Sequence, residues 1–486
     1  MNSTELRSRG PHPSVKARSA LRSARAAAVV AVCAVAIPVC SGCKRRAQSP
    51  APAASGSAAA SASAVTSAAP PSAGATRCQP LTGDGAHLLL GPGAPAASED
   101  DEAIDLPFAP EIGGATALEA AFAVGVLEPR GKSTNAAVLL VGGSLSVGKK
   151  VELGAVHGDV LAPYAAASGD AVLVAVPDGA PHGTLLRLAR IDEPLGGARV
   201  SWGAELMEGN DDSDAFALET GQKSTLVAWD DWDAKAGHGV IHAVVLPAGE
   251  IAKPSPVFVL SGEHDDAEAP AIAKRPGGFW VAWIANAKRA PDHKERREPQ
   301  DPAETSELEM GPRYVVLSPF DDAGKPAGAP AAATPKDGHV MGFDLGAARD
   351  GGALLTWRDD RASPGTAGGI VRLALVRPDG SIEPRVVTDD DVGPGAPSLV
   401  VDAAPPSDTH GWLTIANDAD ALRVVALDPD GRALDELAVE PSLGVATALA
   451  ARGGRVLFSR PAGKGLELSV FACEKGRSLD TAPPPR

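Results

Sequence analysis

Short apolar runs separated by turn residues recur along the chain and predict β-strands. The segment GQKSTLVAW at 221–229 is matched by PGGFWVAW at 276–283, and the final tryptophans of the two segments lie 54 residues apart. Acidic segments at 211–218 and 264–272 precede these tryptophans at the same distance. Agreement of two segments and of the spacing between them indicates a true repeat.

Looser copies of the same turn and strand occur elsewhere in the chain. The eight candidate hairpins start at Gly83, Asn135, Gly169, Gly221, Pro276, Asp350, His410 and Gly453. The turns are roughly 35 to 75 residues apart, a spacing that includes the length of four-stranded propeller blades. Helical repeats of this length need an apolar period of 3.6 residues, which the chain lacks.

Two more strands follow the first hairpin in the clearest copies. The runs 370–376 and 381–388 flank the turn RPDG, and the runs 421–427 and 432–439 flank the turn DPDG. We therefore predict an all-β fold, a β-propeller of about seven four-stranded blades, with six or eight as alternatives. The main competing prediction is a pair of β-sandwich domains with a boundary near 288–311. The stretch 91–129 is irregular and receives no assignment.

The first 43 residues have the pattern of an export signal. A basic segment holding six Lys and Arg residues precedes an apolar run at 26–39, and the sequence VCSGC follows. This segment resembles the lipobox signal of bacterial lipoproteins, although Cys40 stands where an aliphatic residue is usual. The resemblance implies cleavage before Cys43, lipidation of its thiol and, because Lys44 follows, sorting to an outer membrane. An ordinary secretory signal and an uncleaved anchor are the alternatives.

The predicted domain organisation follows from this signal. Residues 1–42 form the signal peptide, and residues 43–76 form the lipidated cysteine with a disordered linker of Ala, Ser and Pro. Residues 77–486 form the propeller, with a charged loop insertion at 288–312. We expect a monomer that is held at the membrane by its N-terminal lipid.

The charge balance excludes some partners. The formal net charge is −16, and removal of residues 1–42, which hold six basic residues and one acidic residue, changes it to about −21. Nucleic-acid binding requires a cationic surface, so no nucleic-acid partner is expected. Anionic lipid headgroups are repelled as well, which leaves the acyl chains as the link to the membrane.

Five cysteines are present, and signal processing would leave two of them without an assigned role. Cys78 precedes the first hairpin and Cys473 ends the last predicted strand. A propeller ring is commonly closed by strands from both chain ends in one blade, so a disulfide between these residues would lock the ring. Two separate free thiols are the alternative.

Acidic residues concentrate where one face of the propeller is expected. In a meandering blade, the loop after the second strand and the loop to the next blade lie on the same face. The predicted binding face comprises Asp211, Asp212, Asp214, Asp230, Asp231, Trp232, Asp233, Asp265, Asp266, Asp359, Asp360, Asp418 and Asp420. Ca²⁺ or a cationic protein partner would offset the mutual repulsion, and solvated loop acids without a ligand are the alternative.

Other motifs carry little functional information. The segment GSLSVGKK at 143–150 is close to a phosphate-binding loop, but Lys150 replaces the Ser or Thr that binds magnesium. Trp229, Trp283 and Trp357 recur in register and are predicted to pack between blades, whereas Trp232 is outside the register and is either an exposed contact or rim packing. His238 and His242 are expected at separate edge positions.

Two functions fit this pattern. The first is a non-enzymatic binding or scaffolding propeller of the cell envelope, which the absence of a catalytic motif favours. The second is a propeller hydrolase or lyase of polysaccharide, in which carboxylates from different blades converge at the channel mouth. Two carboxylates near each other with a raised pKa favour the enzyme, and a ring of exposed acids favours binding.

Overall fold

The computed structural model describes most of the chain after residue 76. All the described residues belong to the compact unit Thr76–Arg486. The part of the chain that the structure describes contains no helix long and apolar enough to cross a membrane. The described stretches are 77–83, 85–91, 110–130, 133–142, 148–158, 160–180, 183–208, 215–233, 235–263, 265–286, 312–360, 369–385, 396–405, 409–417, 421–439, 446–462 and 465–474.

The described residues form β-strands that are arranged in seven blades. β1 (Arg77–Pro80) and β2 (His87–Leu90) precede the first blade. Blade 1 contains β3 (Glu111–Ala117), β4 (Phe122–Arg130), β5 (Ser133–Val141) and β6 (Lys149–Val156). Blade 2 contains β7 (Tyr164–Ser168), β8 (Ala171–Ala180), β9 (Gly183–Asp192) and β10 (Arg199–Glu208). Blade 3 contains β11 (Phe216–Thr220), β12 (Ser224–Asp233), β13 (His238–Pro247) and β14 (Phe258–Val259).

The remaining blades repeat this order. Blade 4 contains β15 (Asp266–Arg275), β16 (Gly278–Asn286), β17 (Arg313–Asp321) and β18 (Ala331–Ala332). Blade 5 contains β19 (Val340–Ala347), β20 (Ala353–Asp359), β21 (Ile370–Val376) and β22 (Ile382–Arg385). Blade 6 contains β23 (Ser398–Val401), β24 (Gly411–Asn417), β25 (Ala421–Leu427) and β26 (Ala433–Val439). Blade 7 contains β27 (Thr447–Arg452), β28 (Arg455–Ala462) and β29 (Gly465–Glu474).

The blades form a closed ring. Each blade is an antiparallel meander, and its first strand contacts the first strands of the two neighbouring blades. The ring closes because β27 of blade 7 contacts β3 of blade 1. The first strand of every blade is therefore innermost, and the seven inner strands surround a central channel. The predicted seven-bladed propeller is confirmed.

Both ends of the folded chain complete blade 7. β1 and β2 pair antiparallel with β29 and together supply the fourth strand of this blade. Cys78 lies opposite Cys473 in this pairing, and the two form the predicted disulfide. β1 also pairs parallel with β26, so the N-terminal strand joins the outer edges of blades 6 and 7.

The hydrophobic core lies between the blades. Seven clusters of buried side chains occur, one at each interface between neighbouring blades. Trp229, Trp283 and Trp357 occupy equivalent places on the second strands of blades 3, 4 and 5, and each packs toward the preceding blade. All three are at most 6% exposed, which confirms that the repeated tryptophans fill equivalent packing sites.

Polar side chains add contacts between neighbouring blades near the inner strands. The Thr116 hydroxyl of blade 1 accepts a hydrogen bond from the backbone N–H of Ala167 in blade 2 (3.1 Å). Asp402, which follows β23, is 3% exposed. Its carboxylate accepts hydrogen bonds from the backbone N–H groups of Gly453 (2.7 Å) and Gly454 (2.8 Å) in the first hairpin of blade 7.

Three sequence assignments are corrected by the topology. The run after Asn135 is the third strand of blade 1, and the run after Gly83 is the outer strand of blade 7, so eight hairpin candidates correspond to seven blades. The second strand of blade 1 is β4, whose Gly125 and Pro129 make it look irregular. Gly125 is needed because a Cβ atom there would lie 1.8 Å from the Pro163 carbonyl oxygen of blade 2. The two-sandwich alternative is wrong, since β16 and β17 on either side of its proposed boundary pair along one blade.

Candidate functional site

Several ionisable side chains lie on the inner strands of the blades. Four of them, on four different blades, are Tyr164 on β7, Glu219 on β11, Lys274 on β15 and Asp344 on β19. Tyr164, Glu219 and Asp344 are half-buried, and Lys274 is exposed. Because the inner strands surround the channel, this placement brings groups that are distant in the sequence to one region of the fold.

Tyr164 is the point on which the two carboxyl groups converge. Burial raises the pKa of the Tyr164 phenol, and the charges of Glu219 and Asp344 raise it further. Blades 2 and 5 are not neighbours in the ring, so the influence of Asp344 on Tyr164 acts across the channel. The phenol therefore stays protonated at neutral pH and can donate a hydrogen bond.

The Tyr164 ring is accommodated by a glycine on the neighbouring blade. A Cβ atom at Gly114 of β3 would lie 2.4 Å from two carbon atoms of the Tyr164 ring. Contacts this short do not occur between real atoms, so any side chain at position 114 would displace the ring. Gly114 thus helps to fix the position of the phenol in the channel.

Glu219 lies on the side of β11 that faces blade 4. Burial raises the pKa of its carboxyl group, while the positive charge of Lys274 and the backbone N–H of Thr220 oppose this effect. The Thr220 N–H donates to Oε1 of Glu219 at 3.1 Å. The carboxyl group thus has one neighbouring cation and one backbone donor, and it keeps a raised pKa.

Asp344 links the inner strands of blades 5 and 6. Its Oδ2 atom accepts a hydrogen bond from the backbone N–H of Leu399 (2.8 Å), and its Oδ1 atom accepts one from the N–H of Leu345 (2.8 Å). Burial nevertheless raises the pKa of Asp344 to about 6, because the two hydrogen bonds offset only part of the desolvation cost. Near neutral pH this group can exchange a proton.

Together these groups supply the proton donors and acceptors that an acid–base site needs. Two carboxyl groups with raised pKa values lie on inner strands and act electrostatically on one protonated phenol, and perturbed groups of this kind are found where proton transfer is catalysed. Among the described residues, no group of three or more His, Cys, Asp or Glu side chains is arranged to hold a metal ion. The site is built from the protein's own proton donors and acceptors.

The described part of the predicted acidic face surrounds the contact between blades 3 and 4. The N–H of Gly239 in blade 3 donates to Oδ1 of Asp266 in blade 4 (2.8 Å). The start of β13 and the start of β15 therefore lie next to each other at the contact between blades 3 and 4. Asp233 caps the turn between β12 and β13 by accepting from the Lys235 N–H (2.8 Å), and Asp265 accepts from the Gly262 N–H (3.2 Å).

Several predicted binding-face acids are buried and already make hydrogen bonds or ion pairs. Asp230 is 9% exposed and accepts from the backbone N–H groups of Ala215 (2.8 Å) and Ala269 (3.2 Å). Asp360 is 7% exposed and forms a bidentate ion pair with Arg358 (2.7 and 2.9 Å). Asp230 thus links blades 3 and 4, and Asp360 forms its ion pair within blade 5.

A repeated ion pair between the second and third strands was missed by the sequence analysis. The acidic residue of the pair lies near the end of the second strand. In blades 2 and 3 it is seven residues after the first residue of that strand (Asp178 and Asp231), and in blade 5 it is six residues after it (Asp359). Each faces a basic residue on the third strand, in the pairs Asp178–Arg187 (2.8 Å), Asp231–His242 (3.3 Å) and Asp359–Arg372 (3.4 Å). The basic residue is recognisable only after the strands are paired, because it lies opposite the residue two positions before the Asp.

The remaining predicted residues are placed as follows. Trp232 is 40% exposed, which makes it a rim residue and not a core residue. His238 is buried and contacts the carbonyl oxygens of Gly239 and Glu263, whereas His242 belongs to the ion pair just described, so the two have separate roles. Residues Cys43, Asp211, Asp212, Asp214, Asp418 and Asp420, and the insertion at 288–312 except for Pro312, lie outside the described residues.

The phosphate-binding motif is not supported by its structural context. Lys149 and Lys150 start strand β6 and not a helix, and Lys150 pairs with Glu128 at 2.6 Å. A phosphate-binding loop requires a helix N-terminus directly after the glycine-rich segment. The Lys150 ammonium group is instead part of the packing of blade 1.

Comparisons with known proteins show a likeness in fold. No protein-family model matches the chain, and no curated protein matches it. Similar solved structures include a PL25 ulvan lyase (12% identity, 84% of this chain and 100% of that chain, TM-score 0.48). A second is the α-L-arabinofuranosidase of Fusarium graminearum with arabinobiose (10% identity, 80% of this chain and 98% of that chain, TM-score 0.41). A third is the β-propeller domain of a Pyrococcus furiosus protease (8% identity, 77% of this chain and 99% of that chain, TM-score 0.43). Several of these structural neighbours are named as glycosidases or polysaccharide lyases, but likeness at this level assigns neither a family nor an activity to this chain.

Proposed function

We propose that this propeller is an enzyme that cleaves polysaccharide by acid–base catalysis in its central channel. The observation that carries the proposal is the convergence of the Glu219 and Asp344 carboxyl groups on the Tyr164 phenol. The three residues come from three different blades, and their only common location is the channel.

The chemistry of glycosidic bonds matches these groups. Cleavage by hydrolysis uses one carboxyl group to protonate the leaving oxygen and a second, ionised carboxylate to act as base or nucleophile. A carboxyl group with a pKa of about 6, such as Asp344, supplies a proton near neutral pH. The Tyr164 phenol donates a hydrogen bond to a substrate or, in a lyase, delivers the proton to the leaving group.

The binding or scaffolding role expected from the sequence has less support. That expectation relied on a face of exposed acids, and Asp230, Asp359 and Asp360 are at most 9% exposed. The preference for a non-enzymatic protein rested on the absence of a catalytic motif. That argument does not exclude a site whose residues come together only through the ring of blades.

The test is an activity screen of the full chain against neutral and acidic polysaccharides. New reducing ends report hydrolysis, and absorbance of an unsaturated product at its non-reducing end reports a lyase. We expect Glu219→Gln and Tyr164→Phe to lower kcat by about 100-fold or more, because removal of a proton-transfer group has effects of this size. Glu250→Gln, at an exposed position on blade 3, is the matched control and should leave kcat unchanged.

Two results contradict the proposal. One is a wild-type chain that cleaves none of the polysaccharides between pH 4 and 8. The other is a Glu219→Gln variant that keeps full activity while a different residue abolishes it. In the first case the binding role becomes the stronger reading of the fold.

A further inference from the structure

Trp202 is exposed although most tryptophans of this chain are buried. The chain has seven tryptophans, and five of them are at most 6% exposed. Trp202 is 43% exposed and lies on β10, the outer strand of blade 2. The ring therefore presents a large apolar surface to solvent, and its surroundings decide whether it can receive a ligand.

Neighbouring side chains hold the Trp202 ring in place. The Arg187 guanidinium stacks over the ring, with its carbon atom 4.7 Å from the ring centroid. Arg187 is itself fixed by Asp178, whose Oδ2 atom accepts from its Nη2 atom at 2.8 Å. The ring is therefore pre-positioned before any ligand arrives, which lowers the entropy lost on binding.

Polar side chains that solvent can reach lie beside this ring. The Arg187 side chain is 28% exposed. His157 contacts the same Asp178 carboxylate through Nδ1 (3.1 Å), while its side chain is 76% exposed. An aromatic face next to accessible polar groups is the combination that recognises sugars, whose rings have an apolar face and hydroxyl groups at the edge.

Comparison with the equivalent ion pairs separates this site from ordinary packing. Asp231–His242 in blade 3 and Asp359–Arg372 in blade 5 occupy the same positions as Asp178–Arg187. Neither of those basic residues stacks on an exposed Trp. The pair thus occurs in all three blades, whereas an exposed Trp stacked on the basic residue occurs in blade 2 and is not required by the pair.

Local charge selects the class of sugar. Asp178 neutralises Arg187, and the exposed Glu205 lies opposite Arg187 on β10. With a net charge of −16 for the chain, an acidic sugar would be repelled. The geometry points to a binding site for a neutral oligosaccharide that stacks on Trp202 and bonds to Arg187 and His157. This site is separate from the channel, and it does not depend on the proposed function.

The test is isothermal titration of the full chain with cellohexaose and xylohexaose, with oligoguluronate as the acidic comparison. We expect binding of at least one neutral hexasaccharide, a loss of 10-fold or more in affinity for Trp202→Ala, and no change for Trp232→Ala. Trp232 is the matched control because it is the other exposed Trp (40%). Trp202→Phe keeps an aromatic face and should retain most of the binding, which shows that loss in Trp202→Ala is not loss of folding.

Three outcomes would overturn the inference. They are no binding of either neutral probe, equal affinity of the wild type and Trp202→Ala, and binding of the acidic probe alone. Failure of catalysis with intact binding at Trp202 would reject the proposed function and leave this site standing.

Discussion

Tyr164 in blade 2 and Asp344 in blade 5 are coupled electrostatically, although their blades are not neighbours in the ring. The charge of Asp344 raises the pKa of Tyr164. The protonation of one group therefore affects the other.

The stability of the protein should fall as the pH rises from about 4 to about 6.5. Asp344 has a pKa of about 6 in the folded chain and an ordinary value of 3.8, so between these values the folded state keeps a proton that the unfolded state releases. The difference corresponds to at most about 3 kcal/mol. Urea unfolding at a series of pH values measures this contribution.

Asp344→Asn is the variant that isolates this effect. The amide oxygen can still accept one backbone hydrogen bond but does not ionise, so the difference in unfolding free energy between the variant and wild type should change with pH in this interval. The unfolding free energy of Glu250→Gln should change with pH in the same way as that of the wild type. If the difference between Asp344→Asn and wild type is constant with pH, Asp344 does not titrate with a raised pKa.

Loss of the Cys78–Cys473 disulfide should destabilise the ring. The bond closes a loop with a sequence separation of 395 residues, and removal of a native disulfide commonly costs about 2 to 5 kcal/mol. The double variant Cys78→Ser/Cys473→Ser should melt at a lower temperature than wild type. Reductant should lower the melting temperature of wild type toward that of the double variant and leave the variant unchanged, and an insensitive wild type would contradict the closure role.

His242→Arg should be tolerated, because Arg occupies the equivalent position in blades 2 and 5. Replacement by Ala instead removes the partner of Asp231, whose side chain is 11% exposed, and should cost about 1 kcal/mol or more. Thermal unfolding of the two variants makes the comparison. A double-mutant cycle with Asp231→Asn should give a coupling energy of about 1 kcal/mol. A coupling energy of zero would mean that the Asp231–His242 contact does not stabilise the fold.

Asp402→Ala should be among the more damaging acid substitutions in the propeller. The change removes the acceptor of the N–H groups of Ala404, Gly453 and Gly454. Of these residues Gly454 is buried, and an unsatisfied buried N–H costs about 1 to 3 kcal/mol. Chemical denaturation measures this loss. Asp379→Ala is the control, since Asp379 lies in an exposed turn and should cost less than 1 kcal/mol; equal losses for the two variants would argue against the role of Asp402.

Much of the fold was predictable because each blade repeats a local pattern. The turn and apolar strand around Trp229, Trp283 and Trp357 depend on residues close in the sequence, and the closure by Cys78 and Cys473 follows from the need to finish a ring. The sequence analysis missed β4 because Gly125 makes the strand look irregular. Glycine is needed there because Pro163 of the next blade lies close to its backbone, and the local sequence does not show this contact.

The channel site was not predictable from the same pattern. Glu219 in the strand FALET and Asp344 in the strand VMGFDLGA look like polar positions of half-buried strands. Their convergence on Tyr164 depends on the order and number of the blades, which bring positions 164, 219 and 344 to a common space. A useful signal for such proteins is an ionisable residue within the first strand of a repeat unit, where most copies have an apolar or small residue.

The pairing of β1 with both β26 and β29 has a mechanical consequence. A pulling force on the chain from the N-terminal side of residue 77, as the predicted lipid anchor would exert, meets a covalent cross-link after a single residue. The load then passes through Cys473 into β29 and through the β1 pairing into β26, so two blades share it. The propeller is therefore fastened at the seam where an open ring would otherwise unravel first.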